Sequence, residues 1–381
     1  MCRKLELYVH IPFCVRKCAY CDFLSAPAGE KERKEYVDAL IKEMEIRRDK
    51  FIDYRVTTVF LGGGTPSILG GEETARIFRA LRENFNIEEN AEITLEANPG
   101  TVTREKLRVW KECGINRLSI GLQSADNREL RVLGRIHTYQ EFLHTWRLVE
   151  EAGFQNRNID LICALPGQTK EGWEKTLRAA ADLGAEHISA YSLIIEEGTL
   201  FHQLSQMGVF DGEDASMRLP SEDEEREIYE MTERILQEYG YHRYEISNYA
   251  KQGHECKHNM GYWERKEYLG LGLGAASLVG ETRFHNAKDM KTYLENPAAE
   301  EEWQQLSVRE QMEEFIFLGL RLMRGISKQR FKVLFGVEIG KAYPGKVEKL
   351  KGDGLLGEEG DRIYLTPRGI DVSNYVFAQF L

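Results

Sequence analysis

The sequence lacks any long apolar segment. Its most apolar stretch, Tyr268 to Gly280, covers 13 residues and is rich in glycine, whereas a helix that crosses a bilayer needs about 20 apolar residues. The first residues include Arg3, Lys4 and Glu6 and contain no apolar core of the kind that a secretory signal requires. We therefore expect no membrane-spanning segment and no secretory signal, and we expect the protein in the cytoplasm.

Positive charge is also scarce. The 381 residues include 51 lysines and arginines against 62 aspartates and glutamates, which gives a net charge of −11 at pH 7. Because nucleic-acid affinity depends largely on clustered basic side chains, we expect no nucleic-acid partner. The hydrophobic content of 42% suits an ordinary globular core, and the length predicts about two or three domains.

Cysteine is too sparse for a disulfide framework. The chain has 7 cysteines, and an odd number in a large acidic chain is typical of reduced thiols. Four are scattered along the chain: Cys2, Cys113, Cys163 and Cys256. The other three, Cys14, Cys18 and Cys21, lie close together in the sequence and predict a bound group.

Short β-rich runs alternate with segments of helical period from residue 5 to about residue 200, which is typical of parallel βα units. Gly114, Gly153 and Gly184 follow helical segments at positions where glycine ends a helix. Because eight such units close a barrel, six predict an α/β fold with an open, partial (β/α)6 barrel of the TIM type; an open doubly wound sheet is the alternative. The six predicted strands are Leu5–His10, Val56–Leu61, Glu92–Ala97, Arg117–Gly121, Asn158–Ile162 and His187–Ile194.

The pattern changes after about residue 200, and three domains are predicted. The barrel is assigned to residues 1–210, and a small α+β segment at 211–300 is expected to link to it and pack on it. That segment contains a charged helix, Ser221–Tyr239, and an irregular region, Tyr241–His285. Residues 301–381, with two or three helices and a small hairpin, predict a winged-helix-like C-terminal domain, whose mixed charge makes docking as reasonable a role as DNA binding.

The clustered cysteines, spaced Cys14-x3-Cys18-x2-Cys21, directly follow the first predicted strand. The carboxyl ends of barrel strands deliver residues to the active face of such folds. Three thiolates on one loop suit an iron–sulfur cube whose fourth iron stays open, whereas structural zinc usually has four protein ligands. The spacing therefore favours an iron–sulfur cluster, with zinc as the alternative.

The segment Tyr8 to Cys21, with the sequence YVHIPFCVRKCAYC, resembles the radical S-adenosylmethionine (SAM) superfamily, in particular its coproporphyrinogen-oxidase-like branch. The resemblance extends to about Asn286. It implies that Cys14, Cys18 and Cys21 ligate a [4Fe-4S] cluster, that SAM chelates the open iron, and that an electron cleaves SAM to a 5′-deoxyadenosyl radical. Further segments follow in the family's order: GGGTPS at 62–67, LEANP at 95–99, IGLQS at 120–124, Arg135, and IDLI at 159–162.

The same resemblance implies a SAM pocket. Carboxylate, amide and guanidinium groups suit the ribose hydroxyls and the methionyl carboxylate. A glycine run lets the backbone approach a zwitterionic ligand closely; its alternative interpretation is a tight turn between a strand and a helix. The implied SAM-binding residues are Tyr8, Tyr20, Gly63, Gly64, Thr65, Glu96, Gln123, Arg135, Asp160, Ile194 and Ala276.

A second glycine-rich segment, Gly270-Leu-Gly272-Leu-Gly274-Ala275, fits a loose dinucleotide-binding pattern. It lacks the amphipathic helix that should follow and does not open a βαβ unit. We interpret it as a close-packed strand beside the cofactor.

The segment HNMGYW at 258–263 resembles the H-N-x-x-Y-W signature of the haem chaperones of this branch, the HemW type. The implied haem ligand is His258, since a neutral imidazole is a common axial ligand of haem iron. Tyr262 and Trp263 would supply flat apolar walls. Two alternatives stay open: a structural, hydrogen-bonded His258, and a metal site of His254, Cys256 and His258 that lacks an evident fourth ligand.

These features predict a radical-SAM-type haem chaperone that binds a [4Fe-4S] cluster, SAM and haem and delivers haem to apo-haemoproteins. The alternative is an enzyme, an oxygen-independent coproporphyrinogen III oxidase that decarboxylates its substrate to protoporphyrinogen IX. Phe23 stands where those oxidases carry a further cysteine, which argues against the alternative. A zinc-bound structural or DNA-docking protein is the third hypothesis. No catalytic residue is assigned, haem or a porphyrinogen is the expected ligand, and peripheral membrane association and a homodimer stay open.

Overall fold

The computed structural model describes residues 3–212 and 214–381, so that Cys2 lies outside the described residues. Its main sheet contains six strands that are neighbours in the same order as along the chain, each parallel to the next. A doubly wound sheet would reverse its strand order part-way. The six strands are β1 (Arg3–Ile11), β2 (Tyr54–Gly63), β3 (Asn86–Ala97), β4 (Arg117–Gln123), β5 (Arg157–Cys163) and β6 (His187–Ser192).

Helices connect these strands and cover the outer face of the sheet. Threonine N-caps at Thr103, Thr138 and Thr169 accept hydrogen bonds from backbone N–H groups in the first turns. The glycines predicted to end helices, among them Gly114 and Gly153, do so at positive φ, 85° and 76°. The helices of this region are α1 (Glu30–Phe51), α2 (Gly71–Asn84), α3 (Arg104–Glu112), α4 (Asn127–Val132), α5 (Tyr139–Glu151), α6 (Lys170–Ala181), α7 (Leu200–Gln206) and α8 (Glu222–Glu238).

Along the strands, alternate side chains point to opposite faces of the sheet, so that an apolar outer face is separated from a polar interior. On β1, Leu5, Leu7 and Val9 belong to the main hydrophobic core, which the helices cover. Glu6 and His10, in the intervening positions, point to the opposite face, as period two requires. The interior of the partial barrel therefore carries side chains that can bind ligands or one another.

The segment predicted to be irregular, Tyr241–His285, instead contains ordered strands that extend the main sheet on both sides. One of them runs parallel to β1 and another antiparallel to β6. The twelve-stranded order is β12-β11-β10-β9-β1-β2-β3-β4-β5-β6-β8-β7. The added elements are β7 (His242–Arg243), β8 (Asn248–Ala250), α9 (Lys257–Trp263), β9 (Tyr268–Leu271), β10 (Ala276–Val279), β11 (Thr282–Asn286), α10 (Met290–Glu295) and β12 (Glu300–Gln305).

The glycine-rich segment at 270–275 is packed tightly, as the close-packed-strand interpretation expects. Gly272 has a φ of +99°, and a Cβ there would lie 2.4 Å from the hydroxyl of Tyr36 and 2.7 Å from the carbonyl oxygen of His10. Only glycine fits this approach of β9 to β1 and α1.

The last part of the chain has a hydrophobic core of its own, with Ile316 and Phe331 among its buried members. Its helices surround a three-stranded antiparallel sheet in the order β13-β15-β14, which is a winged-helix-like arrangement. The domain limits 1–210, 211–300 and 301–381 stay a prediction. The elements are α11 (Val308–Gly319), β13 (Ile326–Ser327), α12 (Lys328–Phe335), α13 (Ile339–Ala342), α14 (Lys346–Gly352), β14 (Leu356–Glu359), β15 (Arg362–Leu365), α15 (Pro367–Asp371) and α16 (Ser373–Ala378).

None of the helices in the described part of the chain combines the length and the apolar character that crossing a membrane requires.

Candidate functional site

A cavity of about 400 Å³ lies at the carboxyl ends of β1 to β6. This is the edge of a parallel barrel at which ligands bind, because the loops and strand ends converge there. Twelve of the residues predicted from the sequence line it: Cys14, Cys18, Cys21, Tyr20, Gly63, Gly64, Thr65, Glu96, Gln123, Arg135, Asp160 and Ile194.

The three clustered cysteines occupy the loop after β1 and face this cavity. Cys14 is buried, and Cys18 and Cys21 are half-buried. Arg135 donates a hydrogen bond from Nη1 to Sγ of Cys18 at 3.7 Å.

The glycine run after β2 also lines the cavity, and packing within the protein already requires two of its glycines. Gly63 has a φ of +107°, and a Cβ there would lie 2.4 Å from the ring of His10. At Gly64 a Cβ would lie 2.5 Å from the carbonyl oxygen of Phe13. The run is therefore a tight turn after β2 that presents its backbone to the cavity, and its contact with SAM stays a prediction.

Two carboxyl groups, Glu96 on β3 and Asp160 on β5, line the cavity. The backbone N–H of Gly63 donates to Glu96 at 3.2 Å. Burial, and then the neighbouring carboxyl of Asp160, raise the pKa of Glu96 to about 8. Asp160 is held in place by hydrogen bonds of 2.8 Å from Ser119 and 2.7 Å from Asn158.

Hydrogen bonds to the carboxyl ends of β3 and β4 hold the side chain of Arg135 in place. Its Nη2 donates to Oδ1 of Asn98 at 2.6 Å and to the carbonyl oxygen of Gly121 at 3.0 Å, while its buried Nε has no hydrogen-bond partner among the described residues. A Cβ at Gly121 would lie 2.7 Å from Nε2 of Gln123. Gln123 adopts a φ of 69°, a strained conformation for a non-glycine residue that is found most often at functional sites.

Sequence reasoning missed several polar residues of the cavity. Asn98 and Gly121 lie within the LEANP and IGLQS segments, close to the predicted residues Glu96 and Gln123. Their position at strand ends was the available signal. Ser119, Tyr191 and Ser192 also line the cavity and had no motif to mark them.

Two predicted SAM ligands do not line the cavity. Ala276 is exposed at the start of β10, the strand next to β9 in the sheet. Tyr8 lies one layer deeper in the barrel, where its hydroxyl bonds to Nδ1 of His10 at 3.0 Å and its ring stacks on Phe60. The chain folds so that neither side chain reaches the cavity.

His258 lies in the interior of the barrel at the end opposite the cavity. Its side chain is 1% exposed, its Nδ1 is 2.7 Å from Oγ1 of Thr58, and its Nε2 is 3.0 Å from the hydroxyl of Tyr262. Burial lowers the pKa of the imidazole to about 3, so that the ring is neutral. Both ring nitrogens are hydrogen-bonded within the protein, and this arrangement does not fit haem ligation by His258.

Comparisons with known proteins bear on the whole chain. Residues 8–180 match the radical SAM superfamily, and residues 306–372 match the HemN C-terminal domain. The chain is 37% identical to a Bacillus subtilis (strain 168) protein named "Heme chaperone HemW", over 98% of both chains. It is 36% identical to a protein of the same name from Lactococcus lactis subsp. lactis (strain IL1403), over 98% of this chain and 96% of that one. The chain belongs to the HemW family of haem chaperones.

The fold of this HemW family member matches a solved structure closely. Coproporphyrinogen III oxidase (HemN) from Escherichia coli, described as a radical SAM enzyme, is similar to it with a TM-score of 0.85 and 25% sequence identity. The match covers 99% of this chain and 90% of that chain. The family resemblance and the partial radical SAM barrel predicted from the sequence are thus confirmed.

The donor set fits a [4Fe-4S] cluster better than a single metal ion. Among residues 3–212 and 214–381, no three His, Cys, Asp or Glu side chains are close enough to share one ion, and this includes His254, Cys256 and His258. Three cysteines on a cube bind three different iron atoms, so their sulfurs lie farther apart than the ligands of one ion. The cavity beside them and the unpaired Nε of Arg135 leave room and a donor for a second, anionic group.

Proposed function

We propose that this protein binds a [4Fe-4S] cluster, SAM and haem, and that it delivers haem to apo-haemoproteins. One observation supports this most directly. The loop that carries Cys14, Cys18 and Cys21 lines the same cavity as the polar strand ends, in a chain whose relatives over nearly the full length are named haem chaperones.

Cys14, Cys18 and Cys21 would hold the cluster, and the cavity next to them would hold SAM. When bound, the cluster and SAM together supply one-electron chemistry. Arg135, fixed by Asn98 and by the carbonyl group of Gly121, would direct its guanidinium at the methionyl carboxylate.

The carboxyl groups deeper in the cavity suit a ligand rich in hydroxyl groups. Asp160 keeps its orientation through Ser119 and Asn158 and would accept hydrogen bonds from ribose hydroxyls. Glu96, with its raised pKa, is protonated near neutral pH and would donate as well as accept. The glycine turn would contribute backbone groups to the amino end of SAM.

Exposed apolar side chains at the mouth of the cavity favour a flat apolar ligand above it. Phe23 is 60% exposed and Ile194 is 67% exposed, and both line the cavity. Arg16 and Lys17, on the cysteine loop, are exposed, also line the cavity and would pair with carboxylates such as haem propionates. A tetrapyrrole with its propionates matches this combination.

A haem titration of anaerobically reconstituted protein tests the function. We expect a saturable shift of the Soret band, followed by transfer of the haem to an added apo-haemoprotein. Phe23→Ser should weaken haem binding, whereas Val333→Ser, at an exposed valine of the C-terminal unit, should leave it unchanged. A wild-type protein that shows no saturable haem binding would contradict the proposal.

The alternative function is the oxidative decarboxylation of coproporphyrinogen III. The fold shared with HemN is the observation on its side, but it supports the alternative no better than it supports a haem chaperone. Reconstituted protein incubated anaerobically with coproporphyrinogen III, SAM and a reductant distinguishes the two functions. We expect no protoporphyrinogen IX above the level of a Cys14→Ala variant, and product at a catalytic rate would support the enzyme instead.

We further propose a cytoplasmic location, and as secondary hypotheses a homodimer, peripheral membrane association and a porphyrinogen ligand. Sedimentation of reconstituted protein, alone and with anionic vesicles, tests the dimer and the membrane association.

A further inference from the structure

The motif helix α9 turns one side towards the barrel interior: His258 and Gly261 are buried, whereas Lys257 is exposed and the other residues of the helix are partly exposed. Gly261 faces the carboxyl group of Glu6 on β1, and the N–H groups of Lys257 and His258 donate to Glu92 on β3 at 3.2 and 3.1 Å. Glu92 thus caps the first turn of α9, where a carboxylate offsets the unpaired N–H groups of a helix.

A continuous stack of rings runs from α9 to the cavity. His258 stacks on Phe60 with 5.1 Å between ring centroids and 22° between planes, and Phe60 stacks on Tyr8 at 6.4 Å and 26°. Tyr8 and Phe60 in turn flank Gly62, where a Cβ would lie 3.1 and 3.0 Å from their rings. Oε2 of Glu96 is 3.1 Å from the same point.

This stack ends at Gly62, the residue before the predicted SAM contact Gly63, and close to the predicted contact Glu96. Gly62 begins the glycine turn, and Glu96 accepts the N–H of the following residue, Gly63. Because interior side chains are close-packed, a void under Phe60 would let its ring and that of Tyr8 move away from the turn.

The other end of α9 is held by the C-terminal part of the chain. The guanidinium of Arg321 lies over the ring of Trp263 at 4.4 Å, and Arg330 donates to the carbonyl oxygen of Glu264 at 3.1 Å. Moving His258 out to meet a haem would therefore break contacts at both ends of the helix as well as both hydrogen bonds of its ring.

We propose that His258 is a positioning residue for the SAM pocket, which it supports from below through Phe60 and Tyr8, and that it does not ligate haem iron. The proposal rests on the proposed function only in taking the cavity as the SAM site. It predicts that changes in the stack alter SAM affinity, even where the imidazole is untouched.

The test measures SAM binding by equilibrium dialysis of anaerobically reconstituted protein, together with iron content, thermal midpoint and haem titration. We expect His258→Ala and Phe60→Leu each to weaken SAM binding about tenfold, which corresponds to the loss of one aromatic contact, while the iron content stays that of the wild type. His254→Ala, at the half-buried histidine just before the motif, is the matched control and should leave SAM affinity unchanged.

His258→Phe separates the two roles of the ring. Phenylalanine can stack on Phe60 but cannot bind iron, so we expect it to restore SAM affinity to within about threefold of the wild type and to leave haem binding intact. Loss of haem binding in both His258 variants, with SAM affinity unchanged, would overturn the proposal in favour of ligation. Unchanged SAM affinity in Phe60→Leu would overturn it as well, even if His258→Ala does not fold.

Failure of the proposed function has a different signature. If the wild type binds neither SAM nor haem, the proposed function is contradicted, irrespective of the results for the variants. If the wild type binds SAM and haem but changes in the ring stack leave SAM affinity unchanged, only the positioning role of His258 is contradicted.

Discussion

The Cα of Gly261 faces the carboxyl group of Glu6, and a Cβ at Gly261 would lie 2.0 Å from both carboxylate oxygens. This close approach lets α9 enter the barrel interior against β1. Glu6 is 1% exposed, its oxygens have no hydrogen-bond partner among the described residues, and burial raises its pKa to about 8. A neutral carboxyl against a glycine is the arrangement that costs least at this position.

Gly261→Ala should therefore destabilise the protein by about 3 kcal/mol, because the added methyl group has no space and Glu6 cannot move without losing its packing. Urea unfolding of the variant and the wild type measures this difference. Gly352→Ala is the control: Gly352 lies in α14 with no atom near its Cβ position, so alanine there should be neutral or stabilising. Equal stability of Gly261→Ala and the wild type would mean that α9 does not pack as described.

Alanine at Cys14, Cys18 or Cys21 should remove the iron–sulfur cluster, because a cube with two protein ligands is not retained. Iron and sulfide contents after anaerobic reconstitution check this, with Cys113→Ala as the control for loss of a half-buried cysteine elsewhere. Full iron and sulfide in any one of the three variants would contradict the site assignment.

Arg135→Lys should weaken SAM binding about tenfold, since one ammonium group cannot replace both Nη2, which contacts Asn98 and Gly121, and Nη1, which contacts Cys18, while also reaching a carboxylate. Equilibrium dialysis with reconstituted protein measures the change. Arg131→Lys, at an exposed arginine one turn earlier, should bind SAM as the wild type does. An affinity equal to the wild type in Arg135→Lys would show that the guanidinium does not hold the ligand.

The buried His137 should make the fold less stable in mild acid. Burial, and then the positive charge of Arg135, lower the pKa of His137 to about 4. Between this value and the ordinary pKa of about 6.5, the unfolded chain binds a proton that the folded chain does not, so stability falls as the pH falls through this range. By pH 5 this histidine should cost about 2 kcal/mol relative to neutral pH.

His137→Gln removes this titration while keeping a donor for the carbonyl oxygen of Leu122, to which Nε2 of His137 lies at 3.3 Å. Urea unfolding at pH 7 and pH 5 compares the two proteins. The stability lost between these pH values should be smaller in His137→Gln than in the wild type, and an equal loss would place the titrating group elsewhere.

Much of the barrel could be predicted because the sequence patterns that mark its strands and helix ends involve residues close together in the chain. The strands and the glycine helix ends depend on residues within a few positions of one another, and all six predicted strands overlap β1 to β6. The cysteine spacing and the strand-end motifs predicted where polar groups would converge, because parallel strands end at one edge. Twelve predicted residues accordingly line one cavity.

The predictions that did not match depend on contacts distant in the sequence. Tyr241–His285 contains short strands whose pairing partners, β1 and β6, are far away along the chain. The position of Ala276, which does not line the cavity, likewise depends on the pairing of β10 with β9 and of β9 with β1. Local pattern carries no information on such pairings.

By itself, the sequence determined the family, the parallel βα order and the loop that carries Cys14, Cys18 and Cys21, since each follows from residue types at short, fixed spacings. The direction in which His258 points was decided only by the tertiary structure. Thr58 lies 200 positions away and supplies a hydrogen bond, Phe60 supplies a stacking surface, and Glu92 supplies a helix cap. These contacts form only when the strands come together, because the buried Nδ1 of His258 and the first N–H groups of α9 find their partners on strands distant in the sequence.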